Sequence, residues 1–179
     1  MKYSDYFVNE LVKLGYTHCF FVNGGNVMHL LESARSRLVC IAVAHEVSAA
    51  IAAEYFNVAS RGRQQKAFAM VTAGPGLTNL VTGIAGAWLE SRELLVIGGQ
   101  ARSNLLSNET VRQIGHQEVD GVSIVAPISK LASRVEVPIS GDKIAQITKV
   151  SSTDRKGPVF LEVCLDVSVM EIDPEKIPK

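Results

Sequence analysis

Short, almost continuously apolar runs alternate with stretches of helical periodicity along the whole chain, and this alternation restricts the fold more than any other feature. The runs are His18–Val22, Leu38–Ala44, Ala67–Thr72, Leu94–Ile97, Leu131–Val137 and Pro158–Leu165. A strand that is apolar at successive positions has both faces covered, and that is the signature of a parallel sheet between helical layers. Between the runs, Tyr6, Phe7, Leu11 and Leu14 recur at helical spacing before Gly15. Further helical patterns cover Val27–Ala34, Val47–Ala59, Leu77–Trp88, Val119–Val125 and Asp142–Val150. The expected fold is α/β: a parallel sheet of about six strands with helices on both faces, a flavodoxin-like three-layer sandwich.

In such sheets ligands bind beyond the carboxyl ends of the strands. Four polar or glycine-rich segments are expected at that edge: Asn23-Gly24-Gly25, Glu46, Thr72 to Gly76, and Gly98-Gly99-Gln100. The longest candidate loop, Ala101–Gln117, is polar and has little periodicity. The expected domain spans residues 1–168. Residues 169–179, with Pro174, Pro178 and mixed charge, read as a linker toward a further domain.

The bulk numbers remove several function classes. The 179 residues suit one domain with a sizeable core, and 47% of them are hydrophobic. A formal net charge of zero gives no argument for nucleic acid or an anionic membrane as partner. The three cysteines, Cys19, Cys40 and Cys164, lie far apart within apolar runs, as buried thiols of a reducing compartment do. No apolar segment suits a signal peptide or reaches the roughly 18 residues of a membrane span. A cytoplasmic protein without membrane contact is the expectation.

Two motifs admit competing readings. Ala73-Gly74-Pro75-Gly76-Leu77-Thr78-Asn79 is a glycine-rich turn opening a helix, which serves equally as a tight turn or as a place where backbone approaches a ligand. It departs from the dinucleotide fingerprint, because Asn79 stands at the third glycine, and from the P-loop, because no Gly-Lys-Ser/Thr follows. His45-Glu46 lacks the second histidine of a zinc helix, since Ala49 holds that place, so no metal ligands are assigned. Glu46 itself, at a strand-to-helix junction, is either a partner of the helix dipole or an acid/base carboxylate in a cleft. By position alone the first reading is favoured.

Taken together, the segments resemble the N-terminal, pyrimidine-binding domain of thiamine diphosphate-dependent enzymes, and most of all the acetolactate synthase-like group. The matching stretches are Phe20-Phe21-Val22-Asn23-Gly24-Gly25; His45-Glu46 with its Ala-rich helix and Glu54-Tyr55; Thr72-Ala73-Gly74-Pro75-Gly76-Leu77-Thr78-Asn79; Ile97-Gly98-Gly99-Gln100; Gln117-Glu118; and Gly157-Pro158-Val159-Phe160-Leu161-Glu162-Val163. They run in order over essentially the whole chain. Ala73 replaces the usual Ser, Asn23 a frequent Pro, and His116 a frequent Phe.

The resemblance implies a carboligase or 2-oxoacid decarboxylase using thiamine diphosphate and Mg2+. It implies that Glu46 hydrogen-bonds a nitrogen of the aminopyrimidine and promotes the tautomer that takes up the thiazolium proton. It implies that Gly24 and Gly25 give close backbone approach to the cofactor, that Thr72, Gly76 and Asn79 shape the pyrimidine pocket, and that His116 and Gln117 face substrate. A polar His116 there implies a more polar acceptor than pyruvate, such as a keto-sugar. The family's Gly-Asp-Gly…Asn stretch, which holds magnesium and diphosphate, does not occur in this sequence. The implied partner is therefore a diphosphate-binding domain of the same or another chain, in a homodimer or tetramer, with the isolated chain inactive. A non-catalytic assembly module, or the small subunit of a split decarboxylase, is the alternative.

Overall fold

The computed structural model describes residues 1–107 and 111–178. Residues 108–110 of the expected long loop, and the last residue of the expected linker, lie outside the described residues. The elements alternate: α1 (Tyr3–Lys13), β1 (Tyr16–Phe21), α2 (Met28–Arg35), β2 (Val39–Ala42), α3 (Glu46–Ala59), β3 (Lys66–Val71), α4 (Pro75–Leu89), β4 (Leu94–Gln100), α5 (Gly121–Val125), β5 (Leu131–Val135), α6 (Gly141–Val150), β6 (Pro158–Cys164) and α7 (Leu165–Val169). Six strands form one sheet in the order β2-β1-β3-β4-β6-β5. Every pairing is parallel. This is the α/β three-layer sandwich that the apolar runs predict.

The period of two along each strand sorts the core into two halves. Phe68 and Met70 of β3 join Tyr3, Phe7 and Leu11 of α1, Leu30 of α2 and Ile144 of α6 on one face. Ala67, Ala69 and Val71 join Ala49, Ala50 and Ala53 of α3 and Leu77, Leu80 and Ile84 of α4 on the other. Large side chains thus meet α1 and α2, while small ones let α3 lie close to the sheet. The same smallness joins α3 to α4: a Cβ on Gly83 would stand 2.4 Å from that of Ala50. These small residues are therefore used within the domain.

One boundary differs from expectation in a way that matters. Gly98-Gly99-Gln100 does not form the turn after β4 but continues the strand, paired with Glu162, Val163 and Cys164 of β6. A glycine pair normally weakens a strand, but here anything larger would collide. A Cβ on Gly98 would stand 2.8 Å from the Phe160 ring, and one on Gly99 would stand 2.5 Å from the Asn26 carbonyl oxygen. At the other end of the chain, the Ile172 N–H donates to the Met1 carbonyl at 2.9 Å, and Lys2 bridges Glu171. A single 3-10 turn, Pro174–Lys176, follows.

Candidate functional site

The sheet order reverses direction between β1 and β3. From β1 the chain crosses to β2 on one side, then returns past β1 to β3 and β4. Connections leave such a point in opposite directions and open a crevice at the carboxyl ends of the strands. Gly24 follows β1 and Thr72 follows β3 at this place, and they touch. A Cβ on Gly24 would stand 2.4 Å from the Thr72 Cβ. Gly24 itself is extended, with φ −176° and ψ 167°, so space and not backbone conformation demands glycine. Thr72 is buried, and its Oγ1 accepts the Asn26 backbone N–H at 3.3 Å.

The turn into α4 has both kinds of constraint. Gly74 has φ +64°, in the region that favours glycine, and a Cβ there would meet the Gln117 carbonyl oxygen at 2.6 Å. Pro75 then takes the first position of α4, where a missing N–H does no harm. Gly76 faces inward. A Cβ on it would stand 2.9 Å from Thr72 Cγ2 and 3.7 Å from Glu46 Oε1.

Glu46 opens α3, and its neighbour decides what it is free to do. His45 is the residue that caps the helix: its Nδ1 accepts the Val47 N–H at 3.2 Å. Glu46 is thereby released from capping, and Asn79 of α4 donates to its Oε2 at 2.9 Å. Glu46 is half-buried and Asn79 exposed.

The remaining expected residues fall in different places. Gln117 lies at φ +57°, and its backbone packs on Gly74, so the long loop does reach the turn before α4. His116 is exposed. Gly25 is exposed, with nothing within 4 Å of where its Cβ would stand. Glu46, Thr72, Gly76, Asn79 and Gly24 thus form one wall, Gly25 stands open beside it, and Gln117 closes one side.

Three further residues support this region: Asn26, which the sequence reading does not single out, and Gln100 and Glu118, which it names only within longer stretches and without a role. Asn26 joins Thr72 and backs Gly99, and only its place after two glycines hints at it. Gln100 is fully buried; it donates to the Val119 carbonyl at 2.7 Å and accepts the Ala101 N–H at 2.7 Å, fixing both ends of the long loop. Glu118 accepts the backbone N–H groups of Ser107, Ile114 and Gly115. Burial alone would raise the Glu118 carboxyl, but these donors and the Arg134 charge hold it below the usual carboxylate range. Among the described residues no group of three or more His, Cys, Asp or Glu side chains could hold a metal ion.

Fold and site together define an α/β domain whose strand-order reversal, the place where ligands bind in sheets of this kind, is lined by glycines and one oriented carboxylate. The family model described as "Thiamine pyrophosphate enzyme, N-terminal TPP binding domain" matches residues 1–124. The chain belongs to this family. It is 32% identical over 180 residues to a probable acetolactate synthase large subunit of Methanocaldococcus jannaschii, covering 99% of this chain and 29% of the relative. It is 31% identical over 172 residues to the acetolactate synthase large subunit of Lactococcus lactis, covering 94% of this chain and 28% of the relative. It is 33% identical over 154 residues to 2-hydroxyacyl-CoA lyase 2 of Caenorhabditis elegans, covering 83% of this chain and 22% of the relative. The chain spans less than a third of the length of these curated relatives. Among the described residues no helix is long and apolar enough to cross a membrane.

Proposed function

We propose that this chain is the pyrimidine-binding portion of an acetolactate synthase-like carboligase or 2-oxoacid decarboxylase, and that Glu46 activates thiamine diphosphate. One observation carries the reading. Asn79 holds Glu46 Oε2, while Oε1, with no hydrogen-bond partner among the described residues, is directed at the wall made by Gly76 and Thr72.

The residues fit the cofactor's ring. The missing side chains of Gly24 and Gly76 let both backbones lie against Thr72, a surface on which a planar heterocycle would rest, and Gly25 leaves open space beside them. Thiamine diphosphate, when bound, supplies the acidic thiazolium carbon and the electron sink. The chain's own part is to orient and to manage one proton. Oε1 of Glu46 would accept a hydrogen bond from a ring nitrogen or share its proton, with Asn79 preventing rotation of the carboxyl. Such sharing works best away from water. Glu46 is only half-buried here, so a second surface must close over it. That surface would be a diphosphate-binding domain of the same or another chain, which would also hold Mg2+, with residues 169–179 as the link where the chain is one. The isolated chain would be inactive.

The outer faces of α3 and α4 support assembly as a dimer or tetramer. Ile51, Tyr55 and Leu89 are 43%, 53% and 77% exposed. The exposed His116 supports a polar acceptor, and comparing turnover of pyruvate and keto-sugar acceptors tests that point.

The principal test supplies a diphosphate-binding partner, thiamine diphosphate and Mg2+, and compares wild type with Glu46→Gln on pyruvate. Activity in the wild type alone is expected. Equal activity would remove Glu46 from the mechanism, and activity in neither would favour a non-catalytic assembly module.

A further inference from the structure

Cys19 of β1 and Cys40 of β2 are register partners in adjacent parallel strands. Partners in adjacent strands stand about 4.8 Å apart, within the Cα separation of roughly 4.4–6.8 Å that a disulfide spans. Their side chains leave the sheet on the same face, and both pack in the core half beneath α1 and α2. The strand β2 is at the sheet edge, so it can shift toward β1 without disturbing a second ladder.

We propose that Cys19 and Cys40 are a site of covalent modification, a dithiol that hydrogen peroxide converts to an intrachain disulfide.

The two thiols are unlike in the way this chemistry needs. Cys40 is half-buried, whereas Cys19 is fully buried. Hydrogen bonding with the Cys19 thiol lowers the Cys40 thiol, and the Arg35 charge at the end of α2 adds to this, against burial, which raises it. Burial pushes the Cys19 thiol well up. An accessible, acidified thiol beside a buried one is the arrangement of a reactive cysteine and its resolving partner. In the first step the Cys40 thiolate attacks peroxide: an S–O bond forms, the O–O bond breaks and hydroxide leaves. In the second step the Cys19 sulfur attacks the sulfenic sulfur: the S–S bond forms, the S–O bond breaks, and the departing hydroxide takes the Cys19 proton as water. The sulfurs lose two electrons and the peroxide gains them. Because β1 runs into Gly24 and β2 runs toward Glu46, the bond ties together the two strands that enter the crevice. The proposal does not depend on the cofactor.

The third cysteine is the internal control. Cys164 lies in β6, buried, with its thiol pushed up to about 12 by burial first and by nearby acidic groups. Treating the folded chain with hydrogen peroxide and mapping peptides without reduction should show a Cys19–Cys40 link and an unmodified Cys164. Iodoacetamide should alkylate Cys40 in the untreated folded chain at least about tenfold faster than Cys164. In Cys19→Ser, dimedone should trap a sulfenic acid at Cys40 in place of the disulfide. Equal alkylation of Cys40 and Cys164, or oxidation of Cys40 without the link to Cys19, overturns the proposal. Should the serine not be tolerated in the core, the wild-type mapping decides alone.

Discussion

Asn79, in the second turn of α4, holds a carboxylate oxygen of Glu46, the first residue of α3, through its side-chain amide at 2.9 Å. The residues are 33 positions apart, and each follows a strand of the same parallel sheet. Parallel strands bring their carboxyl ends to one edge, so the helices that follow begin side by side. A charge-assisted hydrogen bond between those helices fixes the direction of the carboxyl without consuming its second oxygen.

Removing that amide should leave the fold in place and misdirect Glu46. A hydrogen bond to a charged group contributes about 1.5–3 kcal/mol. In the reconstituted enzyme, Asn79→Ala is expected to lower kcat about tenfold or more, with the circular dichroism spectrum unchanged. Unaltered kcat would mean that Glu46 is oriented by other contacts.

The wall between Gly76 and Thr72 should show compensating substitutions. A Cβ at Gly76 meets the Thr72 methyl at 2.9 Å, and serine lacks that methyl. Gly76→Ala should destabilise the chain by about 1–3 kcal/mol in urea unfolding. Adding Thr72→Ser should restore part of the loss, so the two changes are non-additive. Strict additivity would show that the clash is relieved elsewhere.

Two glycines of α4 should respond in opposite senses to alanine. Gly83 packs on Ala50, and Gly83→Ala should cost about 1–3 kcal/mol. Gly86 has open space around it, and Gly86→Ala should stabilise the helix by about 0.5–1 kcal/mol. Thermal unfolding of both variants distinguishes them, and equal shifts would contradict the packing.

Glu118 should make the loop after β4 acid-sensitive. Its carboxyl is held below the usual range in the folded chain, so the folded chain prefers the ionised form. The stability it contributes is therefore fully present above the ordinary carboxylate range and is lost as pH falls through and below it. Amide hydrogen exchange at Ile114 and Gly115, both donors to Glu118, should quicken as pH drops beyond the intrinsic trend. In Glu118→Gln that extra pH dependence should vanish.

Much of the fold is readable from periodicity. The run Ala67 to Thr72 implies a strand covered on both faces, and the structure sorts its residues alternately into two core halves. The glycines of β4 mislead because glycine normally ends a strand. Only the Phe160 ring on one side and the Asn26 backbone on the other explain why glycine continues this one. Glu46 is legible as a residue at a strand-to-helix junction, but not its freedom. That follows from His45 taking the cap, a role histidine seldom plays.

The sequence by itself determined the layers, the parallel sheet and the edge at which its polar segments gather. These depend on local periodicity and on where apolar runs stop, and both are written along the chain. Only the tertiary structure decided that Gly24 lies against Thr72, that Asn79 holds Glu46, and that Cys19 stands beside Cys40. Each of these pairs is set by the order of strands in the sheet, which depends on how the crossover helices pack and not on any single segment.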